Sequence, residues 1–186
     1  LEVKQKESLS LMQTSIGTGL NLIGSGPHCQ MSHIEQLFLY SLIFALKPKN
    51  ILEIGFKFGG SAAIILYALK TVGGQLTSLD PQPIPTNHLD KYENFSLIVG
   101  SSPHDIPDRP YDFIFIDGNH NSLYRDLLGA WTRLTNKGYI LCHDINYPPV
   151  MNDINEFLRR YTASYLTVCN NPTNYGGFGL IQKCEK

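Results

Sequence analysis

The segment E-I-G-F-K-F-G-G-S at 53–61 places a carboxylate, three glycines and a hydroxyl within nine residues. Gly55 and Gly59 let a main-chain turn pass close to a ligand, and Ser61 is suited to cap a helix that follows. The pattern is not G-x-G-x-x-G, and the charge on Glu53 would repel a pyrophosphate laid against the turn, so a dinucleotide is disfavoured. Asp80 lies 21 residues after Gly59, near the ~20-residue offset at which an acidic side chain accepts hydrogen bonds from ribose hydroxyls. Together these groups describe adenosine recognition without a phosphate cradle. Taken singly, the glycines also describe a tight turn, and Asp80 a turn residue before Pro81.

The elements that must position these residues follow from hydrophobic periodicity. Ser32 and Glu35 match a capping box, after which Ile34, Leu37, Phe38, Leu42 and Ala45 recur at helical spacing until Pro48. Apolar strands are predicted at 50–55, 75–80, 95–99, 111–116 and 139–142. Helices are predicted over 61–69, around Leu123, Leu127, Trp131 and Leu134, and after Pro148 and Pro149 around Val150, Ile154, Phe157, Leu158 and Tyr161. Strands that are apolar throughout and separated by helical patterns imply a parallel sheet covered on both faces, an α/β doubly wound fold. The tail differs: 164–169 and 179–182 are strand-like and joined by N-N-P-T-N-Y-G-G, which is turn chemistry, so an antiparallel hairpin should close the sheet. Residues 1–31 read as an irregular, Gly-rich N-terminal arm and 32–186 as one domain.

In such a sheet ligands bind beyond the carboxyl ends of the strands, so each strand end is a candidate site. His28, His33, His88 and His104 fall in loops or at a helix start and are assigned solvated or capping roles. Tyr40, Phe44, Tyr67, Trp131 and Phe157 recur at helical spacing and are assigned to the core, whereas Tyr147 and Tyr175, beside Pro148 and Gly176, are candidate substrate walls.

Composition narrows the function classes. The chain has 186 residues, of which 42% are hydrophobic and 17% charged, enough apolar side chain for a core and too little charge for a disordered polyelectrolyte. Fifteen Lys+Arg against 16 Asp+Glu leave a net charge of −1, so no overall field exists to hold nucleic acid or an anionic membrane. The longest apolar run, 37–46, is well short of the ~20 residues of a membrane span. Cys29, Cys142, Cys169 and Cys184 show no C-x-x-C spacing, and free thiols in a reducing, cytoplasmic setting are expected. With Leu1 in place of an initiator Met, the natural N-terminus is left open.

The series E-x-G-x-x-x-G-G-S, L-D, I-V-G-S-S, D-F-I-F-I-D-G-N-H and G-Y-I-L-C-H-D-I resembles the class I S-adenosylmethionine-dependent methyltransferases over about residues 33–183. Within them it is most similar to the small O-methyltransferase-like group whose fourth strand ends in D-G-x-H and whose fifth ends in H-D or D-D. The resemblance implies a seven-stranded, mostly parallel sheet closed by an antiparallel strand. It implies that Glu53, Gly55 and Gly59 line the methionine and ribose part of S-adenosylmethionine, with Ser61 near its carboxylate. Asp80 would take the ribose hydroxyls, Gly100, Ser101 and Ser102 the adenine edge, and Asp117 would face the sulfonium and the acceptor. A divalent site from Asp117, His143 and Asp144 is implied in atypical form, since many metal-dependent relatives carry two acidic or amide side chains where His143 and Asp144 stand. Carboxylates suit magnesium, and an imidazole tilts the set toward manganese, iron or zinc. Without a metal, His120 or His143 would serve as general base. Ser122 stands where an aromatic residue often follows the D-G-x-H histidine.

The expected activity is methyl transfer to a hydroxyl of a small molecule, with homodimer formation plausible because so short a chain has little insertion to select an acceptor. The alternatives are an adenosine-ligand sensor of the same fold with no catalysis, and a nicotinamide oxidoreductase, which the absent G-x-G-x-x-G and the terminal hairpin disfavour.

Overall fold

The computed structural model describes residues 29–84, 89–168 and 175–184. Helix α1 (His33–Leu46) leads into strand β1 (Asn50–Ile54), helix α2 (Gly60–Val72), strands β2 (Gln75–Asp80), β3 (Phe95–Val99) and β4 (Tyr111–Ile116), and helix α3 (Leu123–Arg133). Strand β5 (Leu134–His143), helix α4 (Pro148–Arg160) and the hairpin strands β6 (Ala163–Val168) and β7 (Phe178–Lys183) complete the chain. The sheet order is β3-β2-β1-β4-β5-β7-β6, and β7 runs antiparallel to both of its neighbours. The α/β sheet and its closing hairpin therefore stand as the residue patterns predict.

Both faces of the central strands are buried, as a parallel sheet under helices requires. The alternation of β4 shows it: Phe113 and Phe115 pack in one layer with Leu39 and Ile43 of α1 and Ile64 of α2. Ile114 and Ile116 pack in the other with Leu127 of α3 and Ile154 and Phe157 of α4. Coverage stops at the β3 edge, where Ser96, Leu97 and Val99 are exposed; the described residues between β2 and β3 form turns and no helix.

Helix α1 departs from its predicted face. Ile34 is 70% exposed, and Leu37, Phe44 and Ala45 also face solvent, while Glu35, Gln36, Leu39 and Ile43 are buried. The helix is apolar almost all round, so periodicity does not choose a face. The partners found by Glu35 rotate it instead, and Phe44 leaves the core group to which its spacing assigned it. Strand β5 is also longer than 139–142, running back through Lys137, which adopts a left-handed φ of 64°. No helix among the described residues is long and apolar enough to cross a membrane.

Candidate active site

The strand order reverses between β1 and β4, which opens the crevice expected at a topological switch point. Gly55 and Asp117 sit at its floor: the Asp117 amide donates to the Ile54 carbonyl (2.8 Å) and the Gly55 amide to the Leu79 carbonyl (2.9 Å). Glu53, Asp80 and Asp117 thus come from the carboxyl ends of three adjacent strands, β1, β2 and β4. A cleft of about 190 Å³ opens above them, lined by Cys29, Met31, Gly55, Phe58, Ser61 and Asp117 among others.

Their side chains are differently employed. Glu53 is fully buried beneath the cleft and accepts hydrogen bonds from the hydroxyls of Ser61 (2.5 Å) and Ser78. Asp80 accepts three main-chain N–H groups, those of Phe56 (2.9 Å), Lys57 (2.8 Å) and Gln82 (2.7 Å), and so clamps the glycine turn to the end of β2. A carboxylate offers about four lone-pair sites, which leaves one for a ribose hydroxyl. Gly59 opens α2 with φ 75°. Gly100, Ser101 and Ser102 follow β3, two strands away from β1 and outside the cleft lining; the Gly100 amide donates to Asp80's carbonyl (3.0 Å) and the Ser101 amide to the Asp105 carboxylate (2.7 Å).

Burial is the main cause pushing the Glu53 carboxyl up to about 7, with the charges of Asp117 and Asp80 adding to it against the two serine hydroxyls. The folded value then exceeds the ordinary one, so the unfolded chain ionises first as pH rises and stability is lost between about 4.5 and 7. Glu53→Gln removes this ionisation. Its melting temperature relative to the unsubstituted protein should rise across that window and level off above it; a pH-independent difference would contradict the burial of an ionisable group here.

The acidic cluster continues onto β5. His143 is buried with one ring nitrogen, Nδ1, 3.3 Å from Asp117 Oδ1 and 3.5 Å from Asp144 Oδ1, and the other, Nε2, 3.2 Å from Glu35 Oε1. Burial opposes its charge, but Asp117, Glu35 and Asp144 overcome this and raise the imidazole to about 10. Asp117, His143 and Asp144 do converge as the sequence implied, with both ring nitrogens of His143 directed at carboxylates, while the three donor atoms that gather most tightly take His120 in place of His143.

His120 supplies the available imidazole. Its Nε2 lies 2.8 Å from Asp144 Oδ2, and single donor atoms of Asp117, His120 and Asp144 lie within 4.8 Å of one another. Two carboxylate oxygens and a nitrogen at that spacing suit a divalent ion of the manganese, iron or zinc type. Asp144 reaches the cluster from a left-handed φ of 56°, a backbone state that Asp tolerates and that is over-represented at functional sites. Burial also raises its carboxyl above the ordinary value.

A second cavity, about 470 Å³, adjoins the first and shares Gly118, His120 and Asp144 with it. Tyr147 and Tyr175, the walls predicted from sequence, line it with ring centroids 5.1 Å apart in an edge-to-face contact, and Tyr147 also meets the His120 ring at 5.7 Å. Of the other histidines, His33 and His104 are exposed, and His28 and His88 lie outside the described residues, as does Cys169.

Residues 52–145 match the family described as a methyltransferase domain. The chain belongs to this family. The matched stretch spans the glycine turn, Asp80, Asp117, His120, His143 and Asp144, and stops short of Tyr147 and Tyr175. Solved structures agree on the class I S-adenosylmethionine-dependent methyltransferase fold. The S-adenosylhomocysteine-bound methyltransferase PaMTH1 of Podospora anserina superposes with a TM-score of 0.71 at 13% identity, over 100% of this chain and 97% of that one. The O-methyltransferase TomG of Streptomyces achromogenes, involved in tomaymycin synthesis and solved with S-adenosylmethionine, gives 0.67 at 17% identity over 90% of each chain. An O-methyltransferase of Bacillus cereus in complex with S-adenosylhomocysteine gives 0.63 at 19% identity over 91% of each. No curated protein sequence matches the chain.

Glu35 is the site residue that sequence reasoning misses. As a capping-box residue it does what the motif predicts, accepting the Ser32 amide at Oε2 (2.7 Å). Its Oε1 also accepts the Gly177 amide (2.6 Å) and meets His143. Burial alone would raise its carboxyl, yet His143, Gly177 and Ser32 together hold it at about 2. Partners 108 and 142 residues away leave no local signal.

Proposed function

We propose that this methyltransferase moves a methyl group from S-adenosylmethionine to a hydroxyl oxygen of a small molecule seated between Tyr147 and Tyr175, with a divalent cation at Asp117, His120 and Asp144. The observation that carries the reading is the grouping of those three side chains where the cavities meet, His120 and Asp144 lining both and Asp117 the first. S-adenosylmethionine supplies an electrophilic methyl on a positively charged sulfur, and a divalent cation supplies Lewis acidity toward the acceptor hydroxyl.

The residues of the chain do the rest. The Gly55 turn and Asp80 hold the nucleoside end, and Asp117 presents negative charge to the sulfonium at the crevice floor. His120 and Asp144 face the second cavity and orient the acceptor oxygen in line with the methyl group, which is the geometric part of the rate gain. The tyrosine rings pack on the acceptor and exclude water. With a cation lowering the acceptor hydroxyl's pKa, the proton would pass to solvent as the acceptor binds; without one, His120, whose Nε2 lies 2.8 Å from Asp144 Oδ2, is placed to take it up.

The test is transfer of labelled methyl from S-adenosylmethionine to a panel of hydroxylated acceptors, with and without chelator. Transfer should fall at least tenfold in chelator and return with Mg²⁺ or Mn²⁺; undiminished transfer in chelator removes the metal. Binding of S-adenosylhomocysteine with no acceptor methylated would identify a sensor of the same fold instead.

A further inference from the structure

We propose that Glu35 is a positioning residue that couples occupancy of the cofactor cleft to the tyrosine-walled acceptor pocket, through one carboxylate held by three separate segments. This rests on the assignment of the first cleft to S-adenosylmethionine. Glu35 is only 6% exposed. On one side it is tied to Ser32 by two reciprocal bonds, its Oε2 to the Ser32 amide (2.7 Å) and its own amide to the Ser32 hydroxyl (3.3 Å). Ser32 continues directly from Cys29, Gln30 and Met31, which line the cofactor cleft, and Gln36 Nε2 pins that stretch by donating to the Met31 carbonyl (2.9 Å). A ligand seated against Cys29–Met31 therefore presses on the first turn of α1.

On the other side Glu35 holds two acceptor-side elements. Its Oε1 accepts the Gly177 amide, and Gly177 follows Tyr175, a wall of the second cavity. That wall is zipped to the loop bearing Tyr147, for the Asn146 amide donates to the Tyr175 carbonyl (3.2 Å) and Asn146 Nδ2 to the Gly176 carbonyl (2.6 Å). The same Oε1 meets His143, whose other nitrogen meets Asp117. Neither Tyr175 nor Gly177 lines the cofactor cleft. Glu35 is the shared partner through which ordering of one cavity orders the other, a coupling between sites in the thermodynamic sense.

Amide hydrogen exchange of the full chain, with S-adenosylhomocysteine as probe, tests this without knowledge of the acceptor. In the unsubstituted protein the ligand should slow exchange over 55–61 and also slow exchange at Gly177 about tenfold. In Glu35→Ala the protection at 55–61 should persist while the response at Gly177 drops below twofold. Glu35→Gln, which keeps the shape and one accepting oxygen, should give an intermediate response and serves if the alanine variant fails to fold. A Gly177 response absent from the unsubstituted protein, or equally large in the folded variants, overturns the coupling. No protection at 55–61 in the unsubstituted protein would instead overturn the cofactor assignment, a separately visible failure.

Discussion

Gly55→Ala is expected to lower the melting temperature by about 10 °C and to abolish methyl transfer. A Cβ at this position would stand 2.2 Å from the Asp117 carbonyl oxygen, 2.5 Å from its carbonyl carbon and 2.8 Å from Gly118 Cα, and φ is +96°. The obstructing atoms are main chain on both sides, held by the β1–β4 ladder, so no side chain can swing aside. A left-handed backbone and an overpacked contact together cost about 3 kcal/mol, and for a domain of this size each kcal/mol corresponds to about 3 °C. Relief comes only by pushing Asp117 away from Gly55, which moves the carboxylate at the crevice floor. Thermal unfolding and single-turnover transfer check both halves; an unchanged melting temperature would mean that the turn does not approach β4 as closely as described.

Asp117→Asn should reduce the transfer rate about 10³-fold in a protein that still folds, the scale expected when charge at a reacting centre is removed. Asp117 lines the first cleft, belongs to the three-residue donor set and meets His143 Nδ1. An amide in its place keeps the volume, loses the charge and a strong ligand atom, and weakens the anchor of the His143 imidazolium. The His143 imidazole should then titrate below about 10, visible by NMR, because the carboxylate that most favours its charged form is gone. A rate within tenfold of the unsubstituted protein, with the fold intact, would remove Asp117 from the chemistry.

Much of this was legible in the residues in order. Apolar strands alternating with helical patterns specify layers, because burial on both faces of a sheet demands apolar residues at every position, and the turn chemistry around 170–177 leaves no room for a helix before the last strand. The glycine turn, Asp80 and Asp117 could be placed at strand ends, since strand direction and the switch point determine where those ends meet. Tyr147 and Tyr175 could be picked out as walls because they stand beside Pro148 and Gly176 in loops, outside the helical spacing that marks the core aromatics.

What the residues in order leave open is which imidazole does what and which face of α1 is inside. His143 and His120 both sit at strand ends beside acidic residues, and their difference lies in their surroundings: His143 is buried between Asp117 and Glu35, the latter 108 residues away in sequence, and these carboxylates, Asp117 foremost, favour its charged form. Local pattern carries backbone propensity and burial period, both short-range quantities. The charge state of an imidazole and the orientation of a helix that is apolar nearly all round depend on partners that only folding brings within hydrogen-bond distance.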